Sequence, residues 1–184
     1  MKYRPIIAFG MLVLLCAAAP KESLQVQFDH RPWKPVVSEA KEGKKLVSFV
    51  PDGETKDHWK ELLTVRFRPA GTQTVHDYAQ KTKRILEKTC PKNLKWSVVS
   101  EKADDMVVQW SLAGCPKIED QFELIRILRS PGGMHVVHYT SKLPDPPEDT
   151  RKKWVTLLNQ ARVIPAAKAP KGKKAKIKGP AAAS

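Results

Sequence analysis

Residues 94–140 read LKWSVVSEKADDMVVQWSLAGCPKIEDQFELIRILRSPGGMHVVHYT, and this stretch decides the fold. Four runs within it, LKWSVVS, DMVVQWSL, FELIRIL and MHVVHYT, are rich in β-branched and aromatic residues and too short for ordinary helices. Turn signals part them, among them Ala113-Gly114 and Pro131-Gly132-Gly133. Side chains alternate along a strand, so Trp96 and Val98 share a face, as do Met106, Val108 and Trp110. Connections this short suit hairpins, whereas parallel neighbours need a crossover of a dozen or more residues. The expectation is an antiparallel meander.

Helical periodicity flanks the meander on both sides. In residues 74–88, Val75, Tyr78, Ala79, Thr82, Ile85 and Leu86 recur at helix spacing and form one stripe. Thr74 and Asp77 are spaced as a capping box, and Cys90-Pro91 ends the segment. Lys81, Lys83, Arg84 and Lys88 fall on the other side and read as a solvated row. A second helix is expected after Asp145-Pro146-Pro147-Glu148, which supplies an N-cap, a first-turn proline and an acid. Trp154, Leu157, Leu158 and Ala161 form its apolar stripe.

Before the first helix, LVSFV at 46–50 is a short apolar strand stopped by Pro51-Asp52-Gly53, and Thr55 can cap a brief turn through Trp59. LLTVRFR at 62–68 alternates, with Leu63, Val65 and Phe67 on one face and Leu62, Thr64, Arg66 and Arg68 on the other. Residues 20–45 are polar and interrupted by Pro32 and Pro35. LQVQF alternates like a short strand and RPWKPVV reads as polyproline-like, so the segment is expected to be an arm or linker. The sum is an α+β domain over residues 46–164, a mostly antiparallel sheet of about five to six strands packed with two main helices.

This element order resembles the PsbP-type sandwich of exported accessory proteins. The run Val50-Pro51-Asp52-Gly53-Glu54-Thr55, followed by Trp59 and Leu63-Thr64-Val65, also resembles small exported Gram-negative proteins of unassigned function. The similarity spans roughly residues 46–164. Its motifs are structural, so the resemblance implies a fold and carries over no catalytic residue.

The chain ends have a different character. Residues 1–19 place Lys2 and Arg4 before an apolar run, Ile6 to Leu15, and then small residues, Cys16 to Ala19. These are the three zones of a secretory signal, and the run falls short of the ~20 residues that span a bilayer. Cleavage after Ala19 would leave Pro20 first, and cleavage after Ala18 avoids that obstruction. Cys16 also admits lipid anchoring, against which Leu15 is larger than the residue lipoprotein signals place before the cysteine. Residues 165–184 are alanine, lysine, proline and glycine, a basic tail expected to be disordered. It holds Lys168, Lys171, Lys173, Lys174, Lys176 and Lys178 and no acid. With the tail and the leader cations set aside, residues 20–164 retain +6 of the chain's +14.

Two cysteines remain beyond the leader, Cys90 and Cys115. An even count in an exported chain favours a structural bridge, and neither belongs to a CxxC pair. Periplasmic or extracellular location follows as the expectation.

No nucleophile elbow, phosphate loop or dinucleotide fingerprint is present, so no cofactor is expected. His135 and His138, three apart in a strand, point to opposite faces and share no metal. His76 beside Asp77 fits a helix start. Asp104-Asp105 and Glu119-Asp120 are adjacent acids in turn-like settings, whereas a glycosidase needs two acids converging across a cleft. The leading expectation is a non-catalytic accessory or binding protein of the bacterial envelope. Its tail would meet an anionic partner: phospholipid, lipopolysaccharide or an acidic protein surface. Chromosomal nucleic acid is not expected of an exported chain, and the tail lacks the aromatics that stack on single strands. The competing expectation is a small secreted hydrolase, with nucleic acid as a candidate substrate. A cleft gathering two or more of His58, His135, His138, Arg66 and Arg126 would favour it.

Overall fold

The computed structural model describes residues 22–165; residues 1–21, which hold the expected leader, and residues 166–184, which hold the tail lysines, lie outside it. Among the described residues the order is β1 (Ser23–Gln25), β2 (Trp33–Lys41), β3 (Lys44–Pro51), β4 (Glu61–Pro69), α1 (Val75–Thr89), β5 (Leu94–Lys102), β6 (Asp105–Leu112), β7 (Gln121–Ser130), β8 (Gly133–Ser141), α2 (Glu148–Gln160) and β9 (Arg162–Ile164). Seven strands form one sheet in the order β2-β3-β4-β8-β7-β6-β5, every neighbouring pair antiparallel. Two meanders meet in its middle: β2-β3-β4 runs inward, α1 carries the chain to the far edge, and β5-β6-β7-β8 returns to close on β4.

The protein is α+β, as the sequence indicates, with more strands than the five to six expected. The difference lies mainly in residues 33–41, part of the segment expected to be an arm or linker, which form edge strand β2 along β3. Pro35 sits at a register shift in this edge pair, a place where the missing N–H removes little. Glu42 (φ 51°) and Gly43 (φ 75°) make the two-residue turn between β2 and β3, with both residues in the left-handed region that such hairpins require. The other addition is a two-stranded ribbon of β1 and β9, which pairs Ser23 with Ile164. It brings the two ends of the described chain together.

Each face of the sheet carries one helix. Helix α1 lies over β5, β6 and β7, where Val75, Tyr78, Ala79 and Leu86 meet Met106, Val108, Trp110, Ile125 and Ile127. Its N-terminus is closed by the expected capping box: Thr74 accepts from the Asp77 N–H, and Asp77 accepts from the Thr74 N–H. Helix α2 covers the opposite face of β7, seating Trp154 and Leu158 against Leu63, Leu124, Val137 and Tyr139. Trp154 stacks on Tyr139 at 4.0 Å and meets the edge of Trp33 at 5.5 Å. No side chain caps α2. Its N-cap is Pro147, and Asp145 instead holds Arg151 at 3.0 Å.

Buried polar groups tie these layers together. Asp29, with its side chain 2% exposed, accepts from Arg31 (2.9 Å), the Trp33 indole (2.9 Å) and Lys153 of α2 (3.0 Å). Arg31 continues to Glu61 of β4, so one hub joins the arm, α2 and the sheet. Burial alone would raise the Asp29 carboxyl; these donors overcome it and hold the group well below the usual carboxylate range. Arg126 serves α2 from the other end. It binds Asp105 with two nitrogens (3.0 and 2.9 Å) and donates to the carbonyls of Leu158 and Ala161, satisfying the helix's last acceptors. On the α1 side, Cys90 caps the helix C-terminus and is bridged to Cys115, with Cα atoms 5.9 Å apart. The loop so closed contributes about 3 kcal/mol through the unfolded chain.

Two predictions follow from these buried groups. Asp29→Asn removes the charge that three donors address and should cost about 2 kcal/mol, read as a lowered urea midpoint at unchanged slope. His135 is buried between Phe67 and Glu22; desolvation lowers its pKa, and Glu22 offsets only part of this. The unfolded chain therefore takes up this proton below about pH 6.5 while the folded chain resists, so the contribution is present above that pH and lost as pH falls. Stability measured from pH 7.5 to 5.5 should fall less steeply in His135→Leu than in the wild type, and equal slopes would remove His135 from the account.

A cationic cleft between β4 and α1

Strand β4 separates its side chains cleanly. Leu63, Val65 and Phe67 face the α2 side, while Thr64, Arg66 and Arg68 stand on the α1 side. Helix α1 packs chiefly over β5–β7 and leaves β4 at its margin. A cleft of about 260 Å³ opens between them, lined by Arg66, Arg68, Gln73, Tyr78, Lys81, Thr82, Ile85, Leu86 and His138. Tyr78, Lys81, Thr82 and Ile85 come from one side of the helix, at spacings of three and four. Ile85 belongs to the stripe expected to be buried, yet it is 56% exposed because it stands beyond the strands that α1 covers.

The cleft continues into a hollow of about 610 Å³ at the end of the sheet, which shares Arg68 and Gln73 and adds Lys44, Arg129 and Asp104. Among the described residues Arg66, Arg68, Lys81 and Arg129 form no ion pair, unlike Arg31, Arg126 and Arg151. Arg68 lies over the Tyr78 ring at 5.6 Å, and Arg129 donates to the Gly71 carbonyl at 3.3 Å. Burial pushes the Tyr78 phenol up, with Arg66 and Arg68 pulling the other way. Gly133 anchors the rim. A Cβ there would lie 2.1 Å from the Arg68 carbonyl oxygen, so only glycine permits β8 to close on β4 beside the arginine.

Beneath the cations runs a polar strip across the sheet. Ser48 and Thr64 share a hydrogen bond of 3.0 Å. The His138 ring donates from Nδ1 to Glu123 at 2.9 Å, and Thr140 donates to the same carboxylate oxygen at 3.2 Å. In the neutral ring Nε2 is then an acceptor, and the Tyr78 hydroxyl faces it at 3.5 Å, the long end of hydrogen-bond range. His138 is 8% exposed.

Other residues singled out in the sequence lie elsewhere. His58 is exposed in the β3–β4 loop, where its N–H donates to Thr55 across bends rather than a helical turn. His76 is on the surface opposite Glu101, 3.1 Å away. His135 and Arg126 face the α2 side, opposite His138, as strand alternation requires. Asp105 holds Arg126, Glu119 pairs with Lys142 at 2.9 Å, and Asp120 accepts from the Gly114 N–H. Of His58, His135, His138, Arg66 and Arg126, one cleft gathers two, Arg66 and His138, which meets the condition that favours the hydrolase. Lys168, Lys171, Lys173, Lys174, Lys176, Lys178 and Cys16 fall outside the described residues. Sequence reasoning missed Lys81, Tyr78 and Arg129 as parts of the cleft, and Glu123 as the partner of His138. The usable signal was Arg66 and Arg68 on one face of a half-buried strand.

No family model and no curated protein matches the chain. No helix among the described residues is long and apolar enough to cross a membrane.

Unpaired like charges held together oppose folding. Replacing Arg66 and Arg68 by glutamine should therefore leave stability unchanged or raise it by about 0.5 kcal/mol at low salt, a gain that shrinks as salt screens the charges. A loss of more than about 1 kcal/mol would mark the arginines as structural.

Proposed function

We propose that this is an exported, non-catalytic binding or accessory protein of the bacterial envelope, engaging an anionic partner through one cationic end. The observation that carries the reading is the convergence of Arg66, Arg68, Lys81 and Arg129 without ion pairs. The tail's point of attachment supports it: Ile164 pairs with Ser23, and the adjacent Glu22 bonds Ser130 beside the same hollow. The tail lysines thus start from the end of the domain that already holds the unpaired cations. The Cys90–Cys115 bridge is compatible with an oxidising compartment. A PsbP-type sandwich remains our architectural proposal.

The hydrolase reading has one specific observation in its favour, because Arg66 and His138 line the same cleft and Glu123 orients the imidazole. Against it, Nδ1 of His138 is bonded to Glu123, the Tyr78 hydroxyl faces Nε2 at 3.5 Å, and the residue is only 8% exposed, an engaged setting for a general base. The deciding experiment crosslinks the exported chain in its native envelope. The wild type is compared with a form lacking residues 165–184 and with Arg66→Gln/Arg68→Gln. Recovery of one defined envelope component, weakened in both altered forms, is the expected result. Turnover of a phosphodiester or glycoside that His138→Gln abolishes would replace this reading with the enzymatic one.

A further inference from the structure

The anionic-partner reading leaves open what the partner's chemistry is, and the cleft is specific on this point. Three cations border it from two elements: Arg66 and Arg68 project side by side from β4, about 7 Å apart along the strand, and Lys81 faces them from α1. Arginine presents a planar fork of donors that matches phosphate oxygens, and two forks with an ammonium opposite enclose a compact anion. Gln73 and Thr82 add neutral polar groups to the wall. One turn further along α1 stands Ile85, a large apolar side chain left in solvent at the mouth of the cleft. A free inorganic anion gives that isoleucine nothing to cover it. An extended nucleic acid would use exposed aromatic faces for its bases, and the one aromatic residue lining the cleft, Tyr78, is buried.

We propose that the cleft between β4 and α1 is a built site for an anionic phospholipid, its phosphate held by Arg66, Arg68 and Lys81 and its apolar chain lying against Ile85. The inference rests on the anionic-partner reading and narrows it from a diffuse attraction to a discrete site. The tail then supplies long-range attraction, and the cleft supplies recognition.

The test is binding of the full exported chain to vesicles of phosphatidylglycerol and phosphatidylcholine, one part to two, at physiological salt, with pure phosphatidylcholine as control. Each arginine near an anionic surface contributes about fivefold, so Arg66→Gln/Arg68→Gln should weaken binding by about 25-fold. Ile85→Ser should weaken it several-fold with no change in net charge. A third variant carries glutamine at the six tail lysines and separates the two contributions. It should bind more weakly overall and still lose affinity when the two arginines are also changed. If the arginine variant binds like the wild type while the tail variant does not bind, the cleft proposal is overturned and the anionic-surface reading survives on the tail alone. If Ile85→Ser is silent and inorganic phosphate displaces the vesicles at millimolar concentration, the site takes free phosphate and the lipid assignment fails. If no form binds anionic vesicles, both this proposal and its lipid-surface basis fall.

Discussion

Much of this molecule follows from a mismatch of widths. Seven strands at about 4.8 Å spacing make a sheet near 30 Å across, and a single helix with its side chains covers roughly 10–12 Å of it. With one helix on each face, neither face is closed by its helix alone. The protein resolves the two remainders differently. On the α2 side the arm carrying Leu24, Val26 and Phe28 folds across, and an apolar cluster extends out to Phe49 and Val65. On the α1 side no second element arrives among the described residues. The uncovered strands there turn polar, with Ser48, Thr64 and Thr140 low in the strip and Arg66 and Arg68 above them. The cationic cleft is what the sheet looks like where its helix runs out.

The covered side depends on charge as much as on hydrophobic area. Asp29 gathers donors from the arm and α2, and Arg126 closes the carbonyl end of that helix while held by Asp105. Both groups are ionised under apolar layers, and both have nearly all their hydrogen-bonding capacity used, the condition under which a buried charge is tolerated. This separates the arginines of the chain into two kinds. Arg31 and Arg126 are fully engaged in holding layers together. Arg66, Arg68 and Arg129 carry the same chemistry and, among the described residues, form no ion pair, although Glu39 and Asp104 stand in the neighbouring hollows.

The sequence disclosed local patterns and concealed how elements lie against one another. Strands β5 to β8 were legible because alternation and turn residues act within a few positions, and the Thr74–Asp77 cap for the same reason. Strand β2 was obscured by Pro32 and Pro35, whose fixed backbone angles suit both polyproline chain and an edge strand; which one forms depends on β3 being there to pair. The helix stripe through Ile85 was correctly periodic, yet periodicity does not reveal how many strands the helix covers. Lys81 could not be told from the solvated row of Lys83 and Arg84, because its distinction is to face β4. Arg66 and Arg68 were placed on one face by alternation alone, so half of the cleft was readable and its opposite wall was not.

The disulfide bears on that wall. Cys90 follows directly on Thr89 at the end of α1, the end that presents Ile85 and Leu86, and its bridge ties this turn to the segment entering β7. A reduced chain must hold the same helix end by packing alone, over strands that support only one side of it. Oxidation therefore does more than add stability: it fixes one bank of the cleft in place. A chain in which the bridge is reduced carries all of the cleft's side chains without the covalent clamp on their scaffold, so the oxidation state of one pair of sulfurs sets how firmly that bank is held.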